Sequence, residues 1–206
     1  MTKTISTSNV VSSMIKNQGK KTKGKAKAGV SGNMFESCIH SLEVFGFIIL
    51  DYVEYVKLKA SNKLPDRFVV RNKPYQNLIG RYKNKIKPGI PKTEFVICVK
   101  NANSTDEFPL MNDEYLEIRI ECKWQAVPGT TQDKLPLTIM NLQYGAPESK
   151  VIIIMDGDGF TGGIHKLVNE LCEDGITWKR APTVPSKIIK KMKLDEFIAW
   201  ANKAFG

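Results

Sequence analysis

With 206 residues, 42% apolar content and a formal net charge of +10, the chain can form one domain with a sizeable core and is too apolar to be wholly disordered. Its longest apolar runs, such as Val151–Met155 and Phe47–Leu50, are far too short to span a bilayer, and the N-terminus lacks the apolar core of a secretory signal. Cys38, Cys98, Cys122 and Cys172 include no C-x-x-C pair, and His40 and His165 have no partner at ligand spacing, which excludes a disulfide framework or zinc knuckle. The expectation is a soluble, cytoplasmic protein.

Residues 1–31 are rich in Ser, Thr, Lys and Gly and carry seven lysines with no acidic residue, the composition of a disordered tail. Such an arm suits a polyanion, nucleic acid being the commonest, with Lys20, Lys21, Lys23 and Lys25 as candidate contacts; the other reading is a solubilising tail. The ordered domain, taken as residues 32–206, is expected to open with a helix capped at Asn33. Phe35, Cys38, Ile39, Leu42 and Phe45 form its apolar stripe, and Gly46 closes it. Glu36 stands at the edge of that stripe, where a first-turn acid is favoured by the helix dipole.

Phe47–Leu50 suits the start of a strand, whereas the segment from there to Leu64 fits neither the helical nor the strand period. Phe68-Val69-Val70 reads as a strand behind a literal Pro65-Asp66. From Pro74 to Pro91 the chain is basic and turn-rich, with Arg81 and Lys83 among Tyr75 and Tyr82, either a phosphate track or a solvated loop. Thr93–Val99 and the stretch Tyr115–Gln125 read as the two arms of a hairpin with a long connection. The second arm alternates: Leu116, Ile118, Ile120 and Cys122 point one way, and Glu117, Arg119, Glu121 and Lys123 the other. Glu121 and Lys123 thus share one polar face, either as an exposed charge pair or as half of a metal-dependent phosphodiesterase site.

Gln132–Leu142 reads as a helix with Pro136 in its first turn, and Lys134 near its start is a further candidate phosphate contact. Val151–Met155 is uniformly apolar and mostly β-branched, as in a strand covered on both faces. A sharp turn at Asp156-Gly157-Asp158-Gly159, a helix over Gly163–Cys172, a basic stretch from Lys179 to Lys193 and an amphipathic helix from Asp195 complete the chain. This order gives an α/β sandwich around a mixed sheet.

The run from Asn33 to about Leu171 resembles the PD-(D/E)xK nuclease superfamily, whose members have the restriction-endonuclease-like α/β/α fold. The opening helix with Glu36, the strand headed by Glu94, Glu121-x-Lys123 with Trp124-Gln125, the Gly129-Thr130 turn and the Val151–Met155 strand carry the resemblance. It implies that Glu94, Glu121 and the Cys122 carbonyl hold Mg²⁺, for which Mn²⁺ can substitute, and that Glu36 acts through a second metal or a water. Lys123 would then orient or deprotonate the attacking water, and Gln125 would position Lys123 or the phosphate. The family's first acid is usually an aspartate after proline, whereas here it is Glu94 in Pro91-Lys-Thr-Glu; Asp66 is its rival, at a longer separation from Glu121.

Val151–Thr161 also resembles the strand and D-x-D-G motif of haloacid-dehalogenase-type phosphatases, with Asp156 as nucleophile, but the chain after Thr161 is too short for the rest of that fold. A glycine-rich turn is the better reading. The sequence therefore points to a Mg²⁺-dependent DNA endonuclease of restriction, phage or mobile-element type, possible as a homodimer. The alternative is a nucleic-acid-binding protein that keeps the fold without hydrolysis.

Overall fold

The computed structural model describes residues 30–75, 94–100, 115–127, 129, 132–174 and 187–206. The tail up to residue 29, and with it Lys20, Lys21, Lys23 and Lys25, lies outside these residues, as do Arg81 and Lys83.

The first helix, α1 (Val30–Val44), begins three residues before the expected cap at Asn33. Its end follows the sequence signal. Gly46 sits at φ +80°, the Phe47 amide donates to the Leu42 carbonyl at 3.2 Å, and the Gly46 amide donates to the Glu43 carbonyl at 3.0 Å. These are the two bonds of a Schellman stop, which needs a left-handed residue that glycine adopts without penalty.

β1 (Ile48–Asp51) leads directly into α2 (Tyr52–Ala60), a helix in the segment whose periodicity favoured neither structure. Asp51 caps it, its carboxylate accepting from the Glu54 amide at 2.8 Å. Asp51-x-x-Glu54 is the signal that marks this helix start. The strands β2 (Arg67–Arg71), β3 (Glu94–Lys100), β4 (Tyr115–Trp124) and β5 (Lys150–Asp156) follow. A short 3₁₀ turn over Gln132–Lys134 precedes α3 (Leu135–Gly145), so the regular helix starts later and runs further than the pattern suggested. After α4 (Gly162–Asp174), the basic stretch contains an unexpected strand, β6 (Ile188–Met192), and α5 (Leu194–Phe205) closes the chain.

The six strands form one sheet in chain order, β1-β2-β3-β4-β5-β6. β1–β2, β4–β5 and β5–β6 are parallel, whereas β2–β3 and β3–β4 are antiparallel. This is the mixed α/β sandwich expected from the sequence.

On one face, Phe35, Cys38, Ile39 and Leu42 of α1 and Phe197, Ile198 and Ala201 of α5 bury Phe95, Ile97, Ile118, Ile120, Cys122, Ile152 and Ile154. Removing each large side chain of this set from water contributes about 1.5–3 kcal/mol. On the other face, Leu135, Ile139 and Leu142 of α3 and Val168 of α4 cover Val151, Ile153 and Met155 of β5. Tyr55 of α2 covers Phe68, Val70, Val96 and Cys98. Between these two apolar clusters, the same sheet face carries Glu94, Glu117, Arg119, Glu121 and Lys123.

Candidate active site

The register of β3 against β4 pairs Glu94 directly with Glu121, Val96 with Arg119 and Cys98 with Glu117. Alternation then turns Glu94 and Glu121 to the same face, where they are 6% and 1% exposed. Two carboxylates this close cannot both ionise cheaply. Burial first, and then the Glu121 charge and a hydrogen bond to it, hold the Glu94 carboxyl well above the usual carboxylate range, although Arg119 and Lys123 pull it down. Glu121 keeps one oxygen, Oε2, buried without a hydrogen-bond partner, while Oε1 is ion-paired to Lys123.

Lys123 stands at the next level of the same face. Burial works against its ammonium, but the adjacent Glu121 and then Glu94 outweigh that and hold its pKa above the ordinary value. The Lys123 side chain is 22% exposed, whereas that of Glu121 is 1% exposed. Cys122 between them sends its thiol to the opposite face, where Cys38 of α1 is its hydrogen-bond partner. Its backbone has a register partner in β5, Ile154.

Gln125 is buried, and its amide nitrogen Nε2 donates to the carbonyls of Gly159 at 3.3 Å and Gly129 at 3.4 Å. Its backbone accepts from the Gly159 amide at 2.8 Å and donates to the Asp156 carbonyl at 3.1 Å. Gln125 therefore ties the end of β4 to the turn after β5, with its own Oε1 left buried and unpartnered. That turn must be glycine: Gly157 has φ +104°, and a Cβ there would lie 2.3 Å from the Gln125 carbonyl oxygen. Asp156, the nucleophile of the dehalogenase-like reading, is occupied by backbone, accepting from Gly157 at 2.7 Å and from the first amide of α5, Leu194, at 3.3 Å.

Glu36 is engaged elsewhere. It pairs with Arg71 at 3.2 Å on the α1 side of the sheet, where the guanidinium lies 5.3 Å from the centroid of the Phe35 ring, and its side chain is 61% exposed. Asp66 precedes β2, and its carbonyl accepts from the Lys100 amide at 2.7 Å. That is the end of β3 away from Glu94. Lys134 is exposed in the 3₁₀ turn before α3. Because β4 leads into this turn, Lys134 belongs to the same end of the sheet as Lys123.

The polar face of β4 is not the solvated surface that its alternation suggested. Arg119 is fully buried and forms the centre of a charge network. Its Nε and Nη2 donate to Glu148 at 2.6 and 3.2 Å, Nη1 donates to Glu94 at 3.2 Å, and Nη1 and Nη2 both reach the Lys73 carbonyl at 3.1 Å. The Tyr75 ring centroid lies 4.6 Å from the guanidinium carbon, and the Tyr75 hydroxyl is bonded to Glu94. Lys73 continues the network to Glu148 at 3.0 Å and Glu117 at 2.6 Å. Burial opposes ionisation of Glu148, but Arg119 and then Lys73 outweigh it and hold its carboxyl below the usual range. Glu148 and Lys73 escaped the sequence reading, which placed Arg119 on the polar face of the strand and Tyr75 in the basic connector without joining them to the site. Only the charged residue in the middle of a hairpin strand gave a local sign of them.

A match to the model of the PD-(D/E)XK nuclease superfamily domain extends over residues 28–205, nearly the whole chain. The chain belongs to the PD-(D/E)XK nuclease superfamily. The comparisons with curated proteins and with solved structures return no match. Members of this superfamily are generally phosphodiesterase nucleases and typically use divalent metal ions. The donor set here has the corresponding chemistry: two buried, directly paired carboxylates, one of them with a buried oxygen lacking a partner. Hard oxygen donors of this kind suit a hard divalent cation. No helix among the described residues is long and apolar enough to cross a membrane.

Proposed function

We propose that this superfamily member is a Mg²⁺-dependent DNA endonuclease, with Glu94, Glu121 and the Cys122 carbonyl holding the metal and Mn²⁺ able to replace it. The observation that carries this reading is the pairing of two buried carboxylates beside the ion-paired, partly exposed Lys123 side chain. A divalent cation bound there supplies Lewis-acid stabilisation of the phosphate and lowers the pKa of a water.

Charge balance supports the same reading. With Glu94 protonated, the state its raised pKa favours, the ion-paired side chains are the cations Lys73, Arg119 and Lys123 and the anions Glu117, Glu121 and Glu148. This set is neutral. Replacing that proton by a divalent cation leaves one net positive charge, which suits an incoming phosphodiester. Lys123, partly open to solvent, donates hydrogen bonds to the attacking water or the phosphate and neutralises charge developing on it. Gln125 fixes the end of β4 and so the direction of Lys123. Glu36 takes part only if it leaves Arg71. Lys134 and the lysines of the N-terminal arm provide sequence-independent contacts to the backbone.

The test is cleavage of supercoiled plasmid with Mg²⁺, with EDTA, and by the Lys123→Met protein. Nicking or linearisation that needs the metal and is lost in the variant supports the proposal. Cleavage that persists in EDTA or in Lys123→Met overturns it. Binding of DNA and RNA without cleavage of either, with Mn²⁺ present, favours a non-hydrolytic nucleic-acid-binding protein.

A further inference from the structure

We propose that Arg119 takes the place of a second metal ion, so that this centre binds a single divalent cation. The inference rests on the metal-dependent reading above and makes it more specific.

Arg119 bridges two carboxylates, Glu94 and Glu148, as a bridging cation would. It cannot easily swing aside, because Nε, Nη1 and Nη2 all donate and the Tyr75 ring lies against the guanidinium. The Glu94 oxygen that it holds, Oε2, therefore already faces a fixed positive charge. A second divalent ion bridging Glu94 and Glu148 would have to sit against that charge, in a buried setting where repulsion is poorly screened.

The acids available to a second ion are committed elsewhere. Glu148 is paired by Arg119 and Lys73, and Glu36 by Arg71. Among the described carboxylates, the buried oxygen without a hydrogen-bond partner is Glu121 Oε2. Glu94 and Glu121 would hold that one ion, while Arg119 stays bonded to Oε2 of Glu94.

The experiment measures Mn²⁺ binding by calorimetry and by electron paramagnetic resonance, using the full-length wild-type chain and an Arg119→Met/Glu148→Gln double variant. The double variant removes one charge of each sign, and its melting curve establishes that it is folded. One ion is expected per wild-type chain. The double variant is expected to bind Mn²⁺ about tenfold more tightly, because Glu94 no longer shares an oxygen with a guanidinium. Two ions of comparable affinity in the wild type, or a folded double variant that binds no more tightly, overturn the inference. Two ions together with Mg²⁺-dependent plasmid cleavage would discard the role of Arg119 and leave the nuclease reading standing. No bound ion and no metal-dependent cleavage would discard both.

Discussion

Glu121 and Lys123, two residues apart on one face of β4, form an ion pair whose members differ sharply in exposure: the glutamate side chain is 1% exposed and the lysine side chain 22%. The lysine can meet a solvent-borne substrate while its partner remains enclosed. Lys123→Met is expected to lower plasmid cleavage by about a hundredfold or more, the usual contribution of a positioned proton-transfer group. It should also lower stability, because the buried Glu121 carboxylate loses its ion-pair partner. Initial cleavage rates and a denaturant titration of the same preparation check both parts. Undiminished cleavage would remove Lys123 from the site.

Glu148 is the test of the buried network. Glu148→Ala leaves Arg119 with Glu94 as its remaining carboxylate and frees Lys73 of one of its two anions. Breaking a buried pair in this way costs about 3–5 kcal/mol, to be read as a fall in the urea midpoint. By contrast, removing Glu43, whose partner His40 is exposed like itself, should shift the midpoint little. Equal shifts in the two variants would contradict the burial of the network.

The raised Glu94 pKa makes stability pH-dependent in a defined direction. In the unfolded chain Glu94 loses its proton near the ordinary value of 4.5, whereas the folded chain holds it to higher pH. Between those points the unfolded state has fewer protons, so this contribution to stability is complete below the ordinary value and is lost as pH rises through the folded one. Glu148 has the opposite sign: its contribution is present above the ordinary value and is lost on acidification. In EDTA, Glu94→Gln should flatten the loss of stability with rising pH, and in the wild type a bound divalent ion should displace the proton and reduce that loss. Denaturant midpoints across the pH range, with and without Ca²⁺, are the measurement. An unchanged profile for Glu94→Gln would contradict the raised Glu94 pKa.

Gly157→Ala should destabilise the protein by about 1–3 kcal/mol, since it strains a left-handed residue and drives a methyl group into the Gln125 carbonyl. Because Gln125 follows Lys123 by two residues, cleavage should fall as well. Asp158→Ala, exposed in the same turn, should change neither. If Asp158→Ala abolished hydrolysis and Gly157→Ala did not, the chemistry would lie in this turn and not on β4.

Deleting residues 1–27 removes seven lysines and stops just short of the matched domain and of α1. If the arm lies on duplex DNA, the slope of log affinity against log salt should fall by about six, at about 0.9 per phosphate contact. Fluorescence anisotropy at several salt concentrations gives the slope. No change would assign the arm to solubility alone.

Much of the architecture was legible because the core writes a period into the sequence. The β-branched run of β5 and the stripes of α1, α4 and α5 follow directly from burial. α2 escaped because its exposed Val53 and Val56 blur the apolar face, although Asp51 and Glu54 mark its start. β6 escaped because Lys190 and Lys191 interrupt it, as charges commonly do on an edge strand. The motif residues were visible as a spacing. The covered state of their face was not, since Arg119 finds Glu148 29 residues and Lys73 46 residues away in the chain. Alternation shows which residues share a face but not what is packed above them.

The agreement between strand order and chain order has a consequence for synthesis. As the polypeptide leaves the ribosome, each new strand finds its neighbour already made, so the sheet can grow by addition at one edge without threading. Glu94, Glu121 and Lys123 are together once β4 has been added to β3. Arg119 still waits for Glu148, which arrives only with the approach to β5. In the nascent hairpin the guanidinium thus has Glu94 but not yet Glu148, and the pairing of Arg119 with Glu148 marks the moment at which the two halves of the sheet lock together.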